Sequence, residues 1–427
     1  MNPPKVCIVS LEYPPEQWGG LARTVRNVAC HLRDMGLEVH VAHVSILEHD
    51  TVLLDENRND EIRNGIVIHH IQVGTEDLSA RPVTMWDHPR TRTFKMMYQS
   101  LELLHLSERF DILHSFFLYP TGYITGLLAK RMRVPAIVTL VGNDIKKYIF
   151  CPEMTAFCRS GLENADAVAA LSHDLLQTAS ALFPVDRKGH VLFNSVQIPA
   201  VRWQPHPNPN RPFRIGCAGI FKYAKGLPYL FKAVREIRRR HDILLELTGT
   251  VRESEQQSLE TMIEKTGIGD ILHIQPAISH DRIPEWLCTL DAFVLPSISE
   301  GCPNILMEAM ACGLPCVATQ VGAVEDLMED AVSGYIVPWG NAAFIAQAIE
   351  RIIQAPDRGL FLGTAARSRM KDFSPERERR AWQTLYRELL FPDDTEAQRL
   401  EAELHGHRFP SWSLGTSGAN KSIFSKN

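Results

Sequence analysis

Two glutamates, Glu300 and Glu308, lie in the stretch SISEGCPNILMEAMACGLP, and their type and spacing could bind a ligand. Pro303 lies between them and favours a helix start, because proline fits the first turn of a helix and restrains the residue before it. The sequence therefore predicts a loop at Glu300, a helix that begins near Pro303, and Glu308 one turn into that helix. The unpaired N–H groups of such a helix start, near Asn304, can bind an anion.

The segments around this stretch favour a ligand site over a purely structural helix start. Acidic side chains near a helix N-terminus often interact only with the helix dipole, and that is the alternative for a single glutamate. Here VLPS precedes the stretch and PCVAT follows it, which predicts strand, loop, helix and strand in succession. Open α/β sheets bind ligands at the carboxyl ends of their strands, where such loops open onto helices.

Two lysines follow another predicted strand, in the segment GCAGIFKYAKGLPYLF. Lys222 and Lys225 lie at the mouth of the next predicted helix, where a point charge suits a diphosphate. A pair of solvated lysines is the alternative for this segment alone. Taken together with the glutamates, Lys225 and the backbone amides of Asn304 and Ile305 would hold a diphosphate.

The carboxylates and a glycine-rich loop complete this candidate site. A carboxylate accepts two hydrogen bonds from vicinal hydroxyls, so Glu308 would suit a ribose and Glu300 a second sugar. The first predicted strand runs into SLEYPPEQWGGLARTV, where Gly19 and Gly20 let the backbone approach a bound group. This segment is not a G-x-G-x-x-G fingerprint, and no acidic residue is placed for a dinucleotide ribose, so NAD binding is disfavoured.

The composition is that of a globular protein, with 427 residues, 45% hydrophobic, 22% charged and a net charge of −5. A nucleic-acid-binding protein would be expected to carry a basic stripe, so we expect no nucleic-acid partner. Basic clusters at 129–133 and 144–148 are either solvated helix ends or a patch that contacts an anionic membrane surface.

The cysteines and the apolar runs of the sequence indicate the cellular compartment in which the protein is expected. Nine scattered cysteines without a CxxC pair suit a reducing compartment, and Cys312 and Cys316 have no further ligands at metal-binding spacing. The sequence has no signal-peptide pattern and no run of about 18 apolar residues. We therefore expect a cytoplasmic protein, with the inner face of the membrane as the alternative, and no bound metal.

Strand-like and helix-like segments alternate through two halves of the chain, which predicts parallel sheets with helices on both faces. The segment QIPAVRWQPHPNPNRPF between the halves is rich in proline and predicts a linker. We predict domains at 1–200 and 201–372, a helix at 373–391 that crosses back to the first domain, and a disordered polar tail at 392–427. The strands predicted in the first half are Lys5–Ser10, Glu38–Val44, Ile66–Gln72, Asp111–Ser115, Ala136–Leu140, Ala167–Leu171 and His190–Phe193.

The stretch PSISEGCPNILMEAMACGLPCVAT resembles the E-x7-E signature of glycosyltransferase family 4. YPPEQWGG is similar to that family's glycine-rich first loop, Lys225–Gly226 to its diphosphate-binding lysine, and FNSV at 193–196 to its Asn-Gly-Val turn. The resemblance extends to about Leu390. It implies an α/β protein of the GT-B fold, in which two Rossmann-like parallel-sheet domains face each other across a cleft. The first domain would bind the acceptor and the second the nucleotide sugar.

The resemblance also implies a function and the residues that carry it. It implies a retaining enzyme that moves a sugar from a nucleotide diphosphate donor (a UDP-, GDP- or ADP-sugar) to a hydroxyl acceptor, either a sugar or a lipid-linked group. The diphosphate charge would be met by lysine and helix dipoles, without a metal or other cofactor. The candidate catalytic residues are Glu300, Lys225 and His114, and the candidate substrate-binding residues are Gly19, Gly20, Lys222, Asn304, Ile305, Glu308 and Asp144.

Three positions depart from the family pattern. Ile220 stands where arginine is frequent, with Lys222 as an alternative source of that charge. Val141 in VGND and Phe116 in HSF stand where histidine is frequent. Three other functions therefore stay open: a non-catalytic nucleotide-sugar binder, a nucleotide-sugar epimerase, and a glycoside hydrolase that uses the two glutamates as paired carboxylates.

Overall fold

The structure is a computed structural model that describes residues 3–16, 19–47, 60–74, 89–208 and 210–391. The predicted tail at 392–427 lies outside these residues, as do Gln17 and Trp18 of the glycine-rich segment. Across the described ranges, no helix combines the length and apolar character that crossing a bilayer requires.

The first domain is an eight-stranded sheet with helices on both faces. Its strands are β1 Lys5–Ser10, β2 Glu38–Leu47, β3 Asp60–Arg63, β4 Ile66–Gly74, β5 Ile112–Phe116, β6 Ala136–Leu140, β7 Ala167–Ala170 and β8 Gly189–Val191. Its helices are α1 Gly20–Asp34, α2 Pro89–Glu108, α3 Tyr123–Met132, α4 Asn143–Lys146, α5 Pro152–Asn164 and α6 His173–Leu182. The strand order is β3-β4-β2-β1-β5-β6-β7-β8, and β3 runs antiparallel to β4 while the other pairs are parallel.

The second domain repeats this design with a six-stranded parallel sheet. Its strands are β9 Phe213–Phe221, β10 Ile243–Val251, β11 Leu272–Gln275, β12 Ala292–Leu295, β13 Cys316–Thr319 and β14 Tyr335–Val337, in the order β11-β10-β9-β12-β13-β14. Its helices are α7 Leu227–Ile237, α8 Glu253–Thr266, α9 Ile283–Leu287, α10 Asn304–Cys312, α11 Val324–Leu327, α12 Ala342–Gln354 and α13 Leu360–Arg369. The predicted α/β class with two parallel-sheet domains is confirmed.

The buried faces of the helices explain why these segments fold as they do. In α1 and α7 the apolar residues recur at helical spacing and pack on the sheets, as amphipathic helices of α/β proteins do. The strands of both sheets are almost continuously buried, which is typical of parallel sheets covered on both faces. The carboxyl ends of the strands, and the loops that follow them, are left to form the cleft.

The sequence predicted most strands to within a few residues but did not predict β3 or β14. The segment DEIR alternates exposed and half-buried residues at the sheet edge, so it has no continuous apolar run to indicate a strand. β2 continues to Leu47, beyond its predicted end at Val44, and β8 ends at Val191 rather than Phe193.

The last helix, α14 at Pro375–Leu390, packs against the first domain. Its Trp382, Leu385 and Tyr386 are buried in the same core cluster as residues of β1, β2 and α1. The proline-rich segment also packs closely, because Trp203 is 1% exposed and its indole N–H donates to the Leu290 carbonyl at 2.7 Å. The chain therefore lies against the second domain before it enters β9.

An ion pair joins the two domains beside the cleft. His173, at the start of α6, lies with its Nδ1 2.7 Å from Oδ1 of Asp326 in α11, and its backbone N–H donates to Oδ2. The hydrogen bond to Asp326 raises the pKa of His173, and this outweighs the burial that would lower it. The charged imidazolium is therefore favoured when the domains are in contact.

Substituting His173 with glutamine should weaken this joint in a pH-dependent way. Because the folded-state pKa is raised above the ordinary 6.5, the contribution is fully present below that value and is lost as the pH rises through the folded-state pKa. We expect the variant's thermal midpoint to lie below the parent's at about pH 5.5 and to approach it by about pH 9. The exposed His273→Gln is the matched control, and a deficit that does not change with pH would contradict the assignment.

Candidate functional site

Helix α10 forms the second-domain wall of the cleft. It begins at Asn304, with Pro303 as the extended residue before it, and its first intrahelical bond runs from the Leu306 N–H to the Pro303 carbonyl. The N–H groups of Asn304 and Ile305 precede that bond and therefore form the anion-binding start of the helix. Glu308 lies one turn further on and is 9% exposed.

Lys225 and Glu300 lie together at the same edge of the sheet. The Lys225 Nζ is 2.7 Å from Oε1 of Glu300, and the Ser297 hydroxyl donates to the same oxygen at 2.7 Å. Burial alone would lower the pKa of Lys225, but the Glu300 carboxylate outweighs it and the pKa is raised. Lys225 is therefore a charged cation on the cleft wall.

Gly226 explains why Lys225 can approach this loop so closely. Its φ is +68°, and a Cβ there would lie 1.9 Å from the carbonyl oxygen of Pro296. A side chain at this position would therefore push the lysine turn away from the end of β12.

Two further cations flank Lys225. Burial lowers the pKa of Lys222, and the neighbouring charges of Arg252 and Lys225 lower it further. Lys222 follows β9 and Arg252 follows β10, so both come from the carboxyl ends of adjacent strands. Arg252 was not predicted from the sequence; its position directly after a buried strand was the available signal. Such a concentration of positive charge suits a diphosphate.

Helix α1 forms the opposite wall, and its start faces the start of α10. A Cβ at Gly20 would lie 3.9 Å from the side-chain nitrogen of Asn304, so the two helix N-termini almost touch. The Asn304 side chain also accepts a hydrogen bond from Asn194 at 2.9 Å, and Thr24 of α1 donates to Asn194 at 3.2 Å. Asn194 belongs to the FNSV turn, whose contact with both helices was not predicted.

Glu12 lies at the start of α1, beside Gly19. A Cβ at Gly19 would lie 2.9 Å from the Glu12 Oε2, so the glycine leaves room for this carboxylate. Burial raises the pKa of Glu12, while the Ala22 N–H and the charges of Lys222 and Arg252 oppose that shift. In this structure the carboxylate therefore occupies part of the positive region that an anion would use.

Glu308 is contacted from the other domain by Arg23. The guanidinium Nη1 donates to Oε1 of Glu308 at 2.6 Å, and His280 lies beside them with its Nδ1 3.7 Å from the same oxygen. Neither Arg23 nor His280 was predicted from the sequence. An arginine in the first turn of the helix after a glycine pair was the available signal for Arg23.

The cleft loops of the two domains pack glycine against backbone. A Cβ at Gly301 would lie 2.0 Å from the carbonyl oxygen of Val141, and one at Gly142 would lie 3.2 Å from the Gly301 nitrogen. Val141, which stands where the family often has histidine, therefore contributes its backbone to the domain contact.

Two predicted site residues are fully buried and have hydrogen-bond partners within the protein. His114 is fully buried, with Nδ1 2.7 Å from the Tyr386 hydroxyl and Nε2 2.7 Å from Oγ1 of Thr139, and burial lowers its pKa to about 3. Phe116 is also fully buried and stacks on the His114 ring. The structure therefore places His114 under α14 as a neutral core residue.

Asp144 is likewise buried, and its carboxylate accepts hydrogen bonds from backbone N–H groups. Its carboxylate accepts hydrogen bonds from the N–H groups of Gly142 at 2.8 Å and Leu118 at 3.1 Å, with a longer one from Val141. Burial raises its pKa, and these amides oppose the shift. Asp144 therefore fixes the loop that meets Gly301 instead of binding substrate directly.

We expect Tyr386→Phe to destabilise the protein by about 1–3 kcal/mol, because it leaves Nδ1 of buried His114 without its partner. A denaturant titration measures this. Tyr98→Phe removes a hydroxyl that Arg131 approaches only at 3.4 Å near the surface, and it should stay within about 0.5 kcal/mol of the parent. Equal effects of the two substitutions would contradict a structural role for the His114 contact.

One group outside the cleft has metal-binding residue types. Among the described residues, ligand atoms of Glu16, Glu61 and His70 lie within 4.8 Å of one another. Glu61 already pairs with Arg63 and lies 3.4 Å from His70. The group is at the β3 edge of the first sheet, and the guanidinium beside it disfavours a cation.

Both halves of the chain match models of glycosyltransferase domains. Residues 19–194 match the model described as "Glycosyl transferase 4-like domain", and residues 202–369 match "Glycosyl transferases group 1". Between them the two matches contain every predicted site residue. The chain therefore belongs to the group 1 glycosyltransferases, with a family 4-like first domain, and the resemblance predicted from the sequence is confirmed.

Individual relatives and solved structures agree with this assignment. N-acetyl-alpha-D-glucosaminyl L-malate synthase of Bacillus anthracis is 25% identical over 302 residues, covering 67% of this chain and 77% of the relative. Sucrose-phosphate synthase from Thermosynechococcus elongatus superposes with a TM-score of 0.71 at 19% identity, over 91% of this chain and 100% of that chain. Anabaena HepE in complex with UDP-glucose superposes with a TM-score of 0.67 at 16% identity, over 90% of this chain and 100% of that chain. These neighbours confirm the GT-B fold.

Proposed function

We propose that this glycosyltransferase takes its sugar from a nucleotide diphosphate donor and transfers it to a hydroxyl acceptor with retention at the anomeric carbon. The observation that carries the proposal is the meeting of two helix N-termini, α1 and α10, beside the cation Lys225. The positive dipole ends of both helices favour an anion here, in the region where the Glu12 carboxylate lies, and a diphosphate is an anion of suitable size and charge to take that place.

The rest of the cleft suits the other parts of such a donor. In this proposal Glu308 accepts hydrogen bonds from the ribose hydroxyls, and Glu300, whose Oε1 is 2.7 Å from the Lys225 Nζ, contacts the transferred sugar. The HepE neighbour was solved with UDP-glucose, which supports a nucleotide sugar as the ligand of this architecture.

The state of the two glutamates supports retention without an enzymatic nucleophile. Glu300 is paired with Lys225, and Glu308 is assigned to the ribose of the donor, so the proposal gives neither carboxylate the role of attacking the anomeric carbon. In the proposed reaction the donor's glycosidic C–O bond breaks, and the diphosphate leaves toward Lys225 and the helix starts. The acceptor oxygen then bonds to the anomeric carbon from the same face and loses its proton to the leaving phosphate. Lys225, Lys222 and the helix dipoles supply the positive charge that such a leaving group needs.

The acceptor is a hydroxyl on a sugar or a lipid-linked group, in the synthesis of a polysaccharide, glycolipid or glycoside. Membrane contact through 129–133 and 144–148 stays a prediction. Several basic side chains of these segments have partners on the protein: Lys130 with Asn164, Arg131 with Glu102, and Lys146 with Asp174.

Turnover of UDP-, GDP- and ADP-sugars with and without acceptor extracts tests the proposal. We expect one nucleotide family to release its diphosphate only when acceptor is present, and NMR of the product to give the donor's anomeric configuration. Sugar release from a glycoside without any nucleotide would favour the hydrolase, and donor conversion without acceptor the epimerase. Tight donor binding without turnover would favour the non-catalytic binder.

A further inference from the structure

Arg23 connects the two walls of the cleft through the carboxylate that is proposed to hold the ribose. Its Nη1 is 2.6 Å from Oε1 of Glu308 and 3.1 Å from Nδ1 of His280. The side chain of Arg23 is 23% exposed and that of Glu308 is 10% exposed. A carboxylate so buried needs a hydrogen-bonding or charged partner, and Arg23 is that partner.

A ribose cannot take over this role without moving Arg23. Its hydroxyls are neutral donors, and Nη1 of Arg23 already takes Oε1 of Glu308. Ribose hydroxyls that bind at Oε1 would displace the guanidinium, which would then need a new anion. In a nucleoside diphosphate, a single methylene group joins the ribose to the first phosphate. Ribose binding at Glu308 therefore brings negative charge to the neighbourhood of the displaced guanidinium.

The position of Arg23 in the first turn of α1 puts it near the proposed diphosphate site. Arg23 lies three residues after Gly20, and Gly20 faces Asn304 at the start of α10, where the diphosphate is proposed to bind. The backbone N–H of Arg23 donates to the Gly19 carbonyl, which fixes the residue in the first turn of α1. Arginine also binds phosphate with two parallel hydrogen bonds, which a lysine cannot do.

We propose that Arg23 exchanges partners when the donor binds: it neutralises Glu308 before binding and contacts the diphosphate in the donor complex. This inference rests on the proposed function and adds a residue of the first domain to the donor site. It makes Arg23 a determinant of specificity for diphosphates, since a nucleoside alone would have to displace Arg23 and would offer it no anion in return.

Isothermal titration of the full chain with UDP, GDP and ADP, and with uridine, guanosine and adenosine, tests the exchange. For the nucleotide that the parent binds, we expect Arg23→Gln to weaken diphosphate binding roughly 10- to 100-fold, the loss of a charged hydrogen bond. Binding of the matching nucleoside should be unchanged or tighter, because Arg23 no longer competes for Glu308. Arg26→Gln, the same substitution on the exposed face of α1, is the control and should match the parent.

The outcomes separate this inference from the proposed function. If Arg23→Gln changes diphosphate and nucleoside affinity by the same factor, in either direction, the exchange is wrong while the donor site stands. If the parent binds none of the three diphosphates, both are overturned. Arg23→Lys keeps the charge but loses the two-pronged geometry, so it should show a smaller loss confined to the diphosphate. This second variant decides the question if the glutamine variant does not fold.

Discussion

Glu308→Gln should reduce donor affinity by about 100-fold or more, since a carboxylate that accepts two ribose hydroxyls contributes charged hydrogen bonds that an amide cannot fully replace. The amide also presents an N–H₂ group toward hydroxyl donors or Arg23, where an acceptor is needed. The fold should survive, because Arg23 reaches solvent at the cleft when its partner is removed.

A thermal-shift series measures this effect. A ligand at 100 times its dissociation constant stabilises the folded state by about 2.7 kcal/mol, so the parent should show a clear rise in thermal midpoint with one nucleotide family. At the same ligand concentration the rise should almost vanish for Glu308→Gln. Glu260→Gln, at an exposed position of α8, is the control. It makes the same change of charge in the same domain and should show the same rise in thermal midpoint as the parent. An undiminished shift for Glu308→Gln would leave Glu308 only as the structural partner of Arg23.

Local patterns in the sequence were sufficient for most of the fold. Continuous apolar runs set the bounds of β1 and β6 as predicted, and Pro303 marked the start of α10, with Glu308 one turn inside it. These features depend on neighbours within a few residues, where periodicity and proline geometry decide. β3 was missed because a short polar edge strand has no such local signal.

The contacts across the cleft depend on residues far apart in the chain. Arg23 and Glu308 are separated by 285 positions, and Asn194 and Asn304 by 110. Whether two such side chains meet is set by the packing of two domains, on which local periodicity gives no information. The sequence therefore predicted candidate residues on both walls of the cleft. It did not predict the ion pair between Arg23 of one wall and Glu308 of the other.

His114 shows the opposite case, in which a residue type that suggested chemistry is fully buried in the core. A histidine at the end of a central strand is a reasonable candidate for the cleft. Its ring instead turns toward Tyr386, a residue 272 positions later on a helix that returns from the second domain. Asp144 is similar, since its carboxylate is used by the backbone amides of the loop that contains it. In both cases the orientation of the side chain is set by a buried hydrogen bond, which no sequence motif indicates.

Lys225→Met should lower kcat by about 100- to 1000-fold, because removing one group that stabilises the charge of a transition state typically costs that much. The charge on the departing diphosphate grows as the glycosidic bond breaks, and Lys225 is held charged beside it by Glu300. The change in KM should be smaller than the change in kcat, since the interaction strengthens mainly in the transition state.

Two further variants separate the loss of the cation from its side effects. Lys225→Met removes the cation beside the half-buried Glu300 and leaves the Ser297 hydroxyl as a neutral hydrogen-bond donor to it. The uncompensated carboxylate could itself repel the diphosphate. The double variant Lys225→Met with Glu300→Gln removes that repulsion, so a kcat that stays low assigns the loss to the missing cation. Lys232→Met, on the exposed side of α7, should behave like the parent. A parental kcat in both Lys225 variants would show that the leaving group is stabilised elsewhere, with Lys222 and Arg252 the next groups to substitute.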